Sequence, residues 1–371
     1  MALRNAAQNG YAQTLERLLQ LSEKFGINPS ERSNSALILA IENHHLDVVN
    51  ILLKYGVDPS YYNNIPLLSA CNSKDPAIVG RLLADSRVDP SAHKNCAFVK
   101  SCENGWLDIL QMLLKKIELQ RLDMSIKQNA FQAAAANGHF QIVEFLASQS
   151  KTTGIGVGDN TAFLKAAENG QFEVVDLLLK LREDLMIDPS AMNNAAFLKA
   201  AENGHTRIVS LLLSLPKEAG IKPDVNNNFS FKKAAENGHS DIVDLLLSLP
   251  KESGVDPSVG SNYALRHSMY NGHYKIAKKL LLLPPTFGID PSVDNYFPAR
   301  TLCWNKPLKT ELEKNPSFVQ DQETEDERLE IALLLLSRAS SNNVDQKRFL
   351  NCLRPNQNIP LQEITDIFNS K

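Results

Sequence analysis

This chain of 371 residues lacks any arrangement of cysteines that suggests a disulfide framework. Its five cysteines, Cys71, Cys96, Cys102, Cys303 and Cys352, are odd in number, scattered, and form no Cys-x-x-Cys pair. They read as reduced thiols in a cytosol-like compartment, so the expected localisation is cytoplasmic. Charge of one sign is missing too. The chain carries 42 acidic and 39 basic residues, a net charge of −3, with no block of Lys or Arg. A phosphate-tracking stripe is therefore not expected, and nucleic acid is not an expected partner. Long apolar runs are absent. Residues 331–336 form one of the longest, far short of the roughly 20 residues that span a bilayer. The opening Met1-Ala2-Leu3-Arg4-Asn5 has no apolar signal stretch, and membrane insertion is not expected.

Catalytic signatures are missing as well. There is no His-Glu-x-x-His and no Gly-x-x-x-x-Gly-Lys. Residues 154–158, Gly-Ile-Gly-Val-Gly, lack the dinucleotide spacing and follow no credible strand, so they are expected to form a flexible linker. Cys303 has no local thiol-enzyme signature around it. The chain is not expected to be an enzyme or to need a cofactor.

What the chain does have is a repeat. Ala166-Ala167-Glu168-Asn169-Gly170 returns at Ala200 to Gly204 and again at Ala234 to Gly238, at intervals of 34 residues. Such a period marks stacked supersecondary units, each too small to bury its own apolar face. The glycine, used as a ruler, falls at Gly10, Gly105, Gly138, Gly170, Gly204, Gly238 and Gly272, with His44 and Lys74 in the matching places of two further units. That gives nine units, and a damaged tenth begins at Asn295. Within a unit, Ala196 to Ala201 predicts a short helix of good formers. Gly204 ends it in the left-handed conformation. Ile208, Val209, Leu211, Leu212 and Leu213 predict the apolar face of a second helix. Asp-Pro-Ser, at Asp58, Asp89, Asp188, Asp256 and Asp290, predicts a tight turn.

These three segments in register, Ala-Ala-x-Asn-Gly-His, Ile-Val-x-Leu-Leu-Leu and Val-Asp-Pro-Ser, resemble ankyrin repeats over roughly residues 1–300. The resemblance implies an all-α solenoid of nine to ten helix-turn-helix units. It departs from the family in two respects. Segments such as Ala195-Ala196-Phe197-Leu198 stand where the family has Thr-Pro-Leu-His, and residues 256–265 are short for a protruding hairpin. Two regions are expected: the array at 1–300, and an irregular tenth unit with a helical C-terminal cap at 301–371. In that second region Ile331 stands 26 residues beyond Asn305, not four, so about 22 residues are inserted.

Regular features invite structural readings. His139, His205, His239 and His273 recur one unit apart, about 10 Å between packed elements, too far for one metal whose bonds are about 2 Å. No metal site is expected, and the resemblance implies hydrogen bonding between units. Asparagines ten residues before the ruler position (Asn34, Asn64, Asn95, Asn160, Asn194, Asn228 and Asn262, with Gln128 in the fifth unit) are expected to cap helices and to bond between units. Lys100 with Glu103, Lys165 with Glu168, Lys199 with Glu202 and Lys233 with Glu236 predict a charged, solvated ladder.

Departures from the consensus are where function is sought. In the ninth unit the lysine-glutamate segment becomes Arg266-His267-Ser268-Met269-Tyr270. Tyr263, Tyr296 and Trp304 lie near it in sequence, and Tyr, Trp and Arg dominate binding hot spots. The cluster is either a contact site or an atypical end unit that caps the array. Tyr61 and Tyr62 make a second candidate patch. The expected function is recognition of a protein partner through the concave helix face and the turn edge, by a chain that is monomeric when free. The uniform repeats are similar to those of intracellular bacterial effectors and large viruses, which implies an adaptor or effector in a host cytosol. The other reading is a repeat arm that targets a small catalytic or inhibitory C-terminal segment.

Overall fold

A computed structural model describes residues 1–21, 24, 26, 28–292, 298, 330–335 and 337. Among the described residues there are helices and turns and no strand. Nine pairs of helices follow in order: Ala2–Gln8 with Ala12–Gln20, Glu31–Glu42 with Leu46–Lys54, Tyr61–Asn72 with Pro76–Leu83, Ala92–Asn104 with Leu107–Leu114, Met124–Ala136 with Phe140–Ser148, Asn160–Glu168 with Phe172–Lys180, Ala191–Glu202 with Thr206–Leu213, Val225–Glu236 with Ser240–Leu247, and Val259–Tyr270 with Tyr274–Leu282. The expected tail cap and insert lie outside the described residues, save for the short helical piece at 330–335, where Ile331, Ala332 and Leu335 are buried.

The chain divides into two compact units, Met1–Ala166 with Gln171–Ile187, and Ala167–Gly170 with Asp188–Lys371. Each builds its core from the same positions. Seven residues before the ruler glycine, Phe98, Phe131 and Phe163 in the first unit and Phe197 and Phe231 in the second are all under 2% exposed. Burying a phenylalanine contributes about 1.5–3 kcal/mol. The second helices add an Ile-Val pair, as at Ile208 and Val209 or Ile242 and Val243, again buried. Leu211 and Leu213, expected on the same face, are half-buried at its margin.

The repeated Glu-Asn-Gly-His is explained by backbone accounting. The last carbonyls of a helix have no partner within it. In the second unit the Glu202 carbonyl accepts two bonds from the following repeat: Asn237 Nδ2 donates at 2.8 Å and His239 Nε2–H at 2.9 Å. Glu168 receives Asn203 and His205 in the same way, at 2.8 and 2.9 Å. In the first unit Glu103 receives Asn137 and His139. Gly204 sits at φ +82°, and a Cβ there would come within 2.7 Å of the His239 ring. The glycine is required twice, for its backbone and for the neighbouring imidazole.

The recurring asparagines bond between repeats, as their spacing led us to expect, and do so from an unusual backbone. Five repeats begin with three consecutive left-handed residues, Tyr62–Asn64, His93–Asn95, Met192–Asn194, Asn226–Asn228 and Gly260–Asn262, with φ between +51° and +67°. Asparagine tolerates this region better than most residues. Turned inward, Asn194, Asn228 and Asn262 are buried, and Oδ1 accepts the backbone N–H of Lys222, Asp256 and Asp290 in the next repeat's turn at 3.0, 3.0 and 3.1 Å. Asn64 holds Asp89 N–H likewise at 2.8 Å. The turns are fixed from within by serine. Ser258 donates both its N–H and its hydroxyl to Asp256 Oδ1, at 2.8 and 2.7 Å.

The fifth and sixth repeats solve the same problem differently. Buried Lys127, not Gln128, joins the turns, donating to the carbonyls of Gln120 and Thr153 at 3.3 and 3.0 Å. Residues 154–158 are not a loose linker. Ile155 is fully buried, and a Cβ on Gly156 would meet the Phe131 ring at 2.8 Å. Gly156 is needed because the turn presses directly onto an aromatic core residue.

Two expectations follow for stability. Gly204→Ala costs more than Gly56→Ala by at least about 1 kcal/mol, since both have positive φ but Gly56 faces open space. Urea titrations of the two variants measure the difference, and equal costs would refute the histidine contact. Asn228→Ala lowers stability by about 1 kcal/mol by removing the acceptor of the part-buried Asp256 N–H. Asn228→Asp, which keeps the acceptor and the tolerance of positive φ, loses less.

Candidate functional site

The ladder of first-helix side chains is charged and mostly self-neutralising. Lys199 pairs with Glu202 at 2.8 Å, Lys233 with Glu236 at 2.6 Å and, in the first unit, Lys100 with Glu103 at 2.8 Å. Lys165 donates to Gln132 Oε1 at 3.2 Å, one repeat away. Partly exposed pairs of this kind contribute about 0.2–1 kcal/mol. Hydrogen bonding to the paired glutamates raises the pKa of Lys199 and Lys233.

The ninth repeat breaks the ladder, and the structure brings three of the expected residues together there. Tyr263 is half-buried, and its hydroxyl donates to Glu236 Oε2 at 2.8 Å. Its ring meets that of His267 edge-on, with centroids 3.8 Å apart, and Lys232 Nζ lies 5.6 Å from its centre. Burial pushes the Tyr263 hydroxyl pKa up, and the bond to Glu236 adds to the shift. Burial works to raise the Glu236 carboxyl, but the bonds from Lys233 and Tyr263 outweigh it and hold the group below its ordinary value. Arg266 bends back over its own left-handed turn, Nε donating to Ser261 O at 2.9 Å and Nη2 to Gly260 O at 3.2 Å. Tyr270 is 57% exposed. Tyr296 and Trp304 lie outside the described residues.

The second patch belongs to the first unit. Tyr62 is 72% exposed on its left-handed turn, and half-buried Tyr61 stands beside it, with ring centroids 6.1 Å apart. The structure adds a row that the sequence reading missed. Ile38, Leu68 and Val99 occupy one helix position in the second, third and fourth repeats, and all three are half-buried. The register of Arg266, six residues before the ruler position, could have revealed them. In the second unit that register carries Leu198, Lys232 and Arg266.

Elsewhere in the second unit an open groove of about 460 Å³ runs between Leu246, Leu249, Pro250, Val255, Pro257 and Phe287, with Lys251 and Asp256 the charged residues on it. Among the described residues no cluster of His, Cys, Asp or Glu is placed to hold a metal. The histidines are turned to backbone carbonyls instead. No helix among the described residues is long and apolar enough to cross a membrane. Cys71 and Cys102 are buried free thiols, and burial pushes the Cys71 thiol up to about 12, away from reactivity.

Against known proteins, a family model described as ankyrin repeats (three copies) matches residues 1–64, 67–156, 98–188, 131–228, 163–260 and 197–295. The chain belongs to the ankyrin-repeat family. It is similar to the ankyrin repeat protein FPV222 of fowlpox virus (strain NVSL), 26% identical over 126 residues, which is 32% of this chain and 17% of that protein's length. Among solved structures it is similar to the human ASB11 ankyrin repeat domain, with a TM-score of 0.43 and 20% identity, covering 58% of this chain and 99% of that one.

The histidine ladder predicts a pH response. Burial lowers the pKa of His239 and of His267. A histidine held neutral in the fold contributes stability that is complete above its unfolded value, about 6.5. That contribution is lost as pH falls through the lower folded value. The melting temperature is therefore expected to drop between about pH 7 and pH 5. His239→Gln is expected to flatten part of that drop, because Gln171 already fills the equivalent place in the sixth repeat, donating to the Ala136 carbonyl at 3.3 Å. An unchanged pH profile in the variant would remove His239 from the account.

Proposed function

We propose that the chain is an adaptor that binds a protein partner through the first-helix face of its repeats and the adjoining turn edge, without catalysis of its own. Ankyrin repeats are generally protein–protein interaction modules, and the match extends over most of the chain. The observation that carries the reading is the ninth repeat. There a self-neutralising lysine-glutamate pair gives way to an exposed Tyr270, and the same helix carries a guanidinium held by two carbonyls. Fixed aromatic and arginine side chains lose little freedom on binding, which is how a stiff surface gains affinity. Tyr61 and Tyr62 provide a second contact patch on the first unit. A cytosol-like site of action fits the free thiols, and the likeness to a viral protein supports a host-directed role.

The test is chemical cross-linking in cell lysate followed by capture, run in parallel with the Arg266→Ala, Tyr270→Ala double variant and with a Tyr61→Ala, Tyr62→Ala variant. At least one partner is expected to fall fivefold or more in recovery with the first pair while the melting curve is retained. Identical recovery from both variants would overturn the assignment of these faces.

A further inference from the structure

The half-buried aliphatic row of the first unit identifies the kind of partner that this part of the first-helix face accepts, an inference that rests on the function proposed above. The first helices of the first four repeats pack side by side in chain order. Six residues before the ruler position they carry Arg4, Ile38, Leu68 and Val99. The three aliphatic side chains are half-buried, although each follows a residue that already fills the core, Leu37, Leu67 and Phe98. Leu39 and Ile65, also half-buried, widen the strip. The strip has definite ends. In the fifth repeat the register carries Gln132, whose amide is engaged by Asp159 at 3.0 Å and by Lys165 at 3.2 Å. In the first it carries Arg4, half-buried, whose Nε is closed to solvent and finds no acceptor among the described residues. A buried N–H without an acceptor is costly, so this end calls for a carboxylate from outside. The strip lies wholly in the first compact unit, which holds no residue beyond Ile187.

We infer that this strip takes one amphipathic α-helix of a protein partner, laid along the stack, with an apolar side chain every seventh residue and a carboxylate at the end over Arg4. The spacing selects the period. Neighbouring packed helices stand about 8–10 Å apart, and seven residues of α-helix advance about 10.5 Å and return to nearly the same face. Apolar side chains in three successive heptads therefore meet Ile38, Leu68 and Val99 in turn, and one heptad more reaches Arg4. Charge complementarity fixes that end, because a carboxylate there gives Arg4 Nε its acceptor through a charge-assisted bond. The backbone selects a helix over an extended chain. The first helices use their N–H and C=O groups internally, and no strand edge exists among the described residues. An extended peptide pressed onto aliphatic side chains would lose water from its backbone without gaining partners. A helix brings its backbone bonds with it, and its apolar face fits such a groove.

The test uses the full chain and a fluorescein-labelled peptide of about 24 residues, long enough for four positions one heptad apart. One glutamate is followed by leucine at three successive intervals of seven, on a background of alanine, glutamine and lysine, and binding is read by fluorescence anisotropy. This peptide is expected to bind at least tenfold more tightly than one of the same composition with its leucines five apart, and than one with a proline in each heptad. Leu68→Gln with Val99→Gln is expected to weaken binding at least tenfold, and the milder Leu68→Ala at least threefold should the double exchange unfold the repeats. Arg4→Gln is expected to abolish a threefold or greater advantage of the glutamate peptide over its glutamine counterpart. Ile51→Gln with Leu114→Gln, the same kind of exchange at half-buried positions on second helices of the same unit, is expected to leave binding intact. Equal binding of the respaced or the proline peptide, or equal loss in the Ile51 and Leu114 pair, would each overturn the inference. So would a dimer of the free chain in sedimentation velocity that Leu68→Gln with Val99→Gln dissociates, since a second copy would then be the occupant. If the peptide fails while cross-linked partners still depend on Arg266 and Tyr270 or on Tyr61 and Tyr62, the helical ligand is wrong and protein recognition stands.

Discussion

A hairpin of two short helices leaves too many polar backbone groups at its ends, and everything else in this protein depends on how the neighbouring hairpin answers them. The first helix ends with carbonyls that have no intrahelical partner. The following repeat answers with an asparagine amide and a histidine ring, both directed to one glutamate carbonyl. At the other end, a buried asparagine oxygen answers the N–H of the following turn. Both bonds cross from one repeat to the next, so neither is made by an isolated hairpin. The apolar contacts between repeats supply most of the driving force. The polar bonds fix the register, because a slip of one position would bury unsatisfied groups at a cost of about 1–3 kcal/mol each.

This arrangement explains why glycine and asparagine, and not only leucine and alanine, define the repeat. The glycine must be left-handed and must also leave room for an imidazole. The asparagine, itself buried, must tolerate a left-handed backbone and present an acceptor to the N–H of the next turn. Where the histidine or the asparagine is replaced, another side chain spans the same gap. Gln171 donates to the carbonyl that a histidine would reach, and buried Lys127, a donor where the asparagine oxygen accepts, joins two turns through their carbonyls. The requirement lies in the backbone group to be satisfied, and the residue type follows from it.

The same reasoning separates what could be read in the sequence from what could not. The helix pairs, the buried Ile-Val positions and the left-handed glycines were legible because each rests on a local pattern or a spacing, while the histidine bonds were expected from the resemblance to ankyrin repeats. For Asn228 the bond to the next repeat was expected, but not that it is made from a left-handed backbone to the N–H of a turn. An asparagine ahead of a helix usually caps it, and three successive left-handed residues leave no mark beyond a preference for Asn and Gly. Residues 154–158 misled for a related reason. Glycine signals conformational freedom in a sequence, yet here it serves close packing against Phe131. At the ninth repeat the composition pointed to Tyr263, Arg266 and Tyr270, but not to their division of labour. Tyr263 is committed to Glu236 and His267, so Tyr270 presents the aromatic surface. The aliphatic row at Ile38, Leu68 and Val99 was missed because each residue alone looks like core, and only the register places it at the margin.

A division of positions follows from the bonding scheme. Seven residues before the ruler glycine, and at the glycine, asparagine and histidine themselves, the side chain is set by packing or by a backbone partner. Six and two residues before it, the side chain lies at the margin of the fold, from buried Leu198 to exposed Tyr270, and its partners are other side chains or its own turn. Those are the positions where leucine, lysine and arginine replace one another between Leu198, Lys232 and Arg266, and where glutamate gives way to tyrosine at Tyr270. Substitution there changes the surface without touching the bonds that set register, so binding character can vary from repeat to repeat at little cost in stability. The stiffness of the stack then turns such variation into recognition. Side chains fixed at repeat spacing favour a partner whose own groups recur at that spacing.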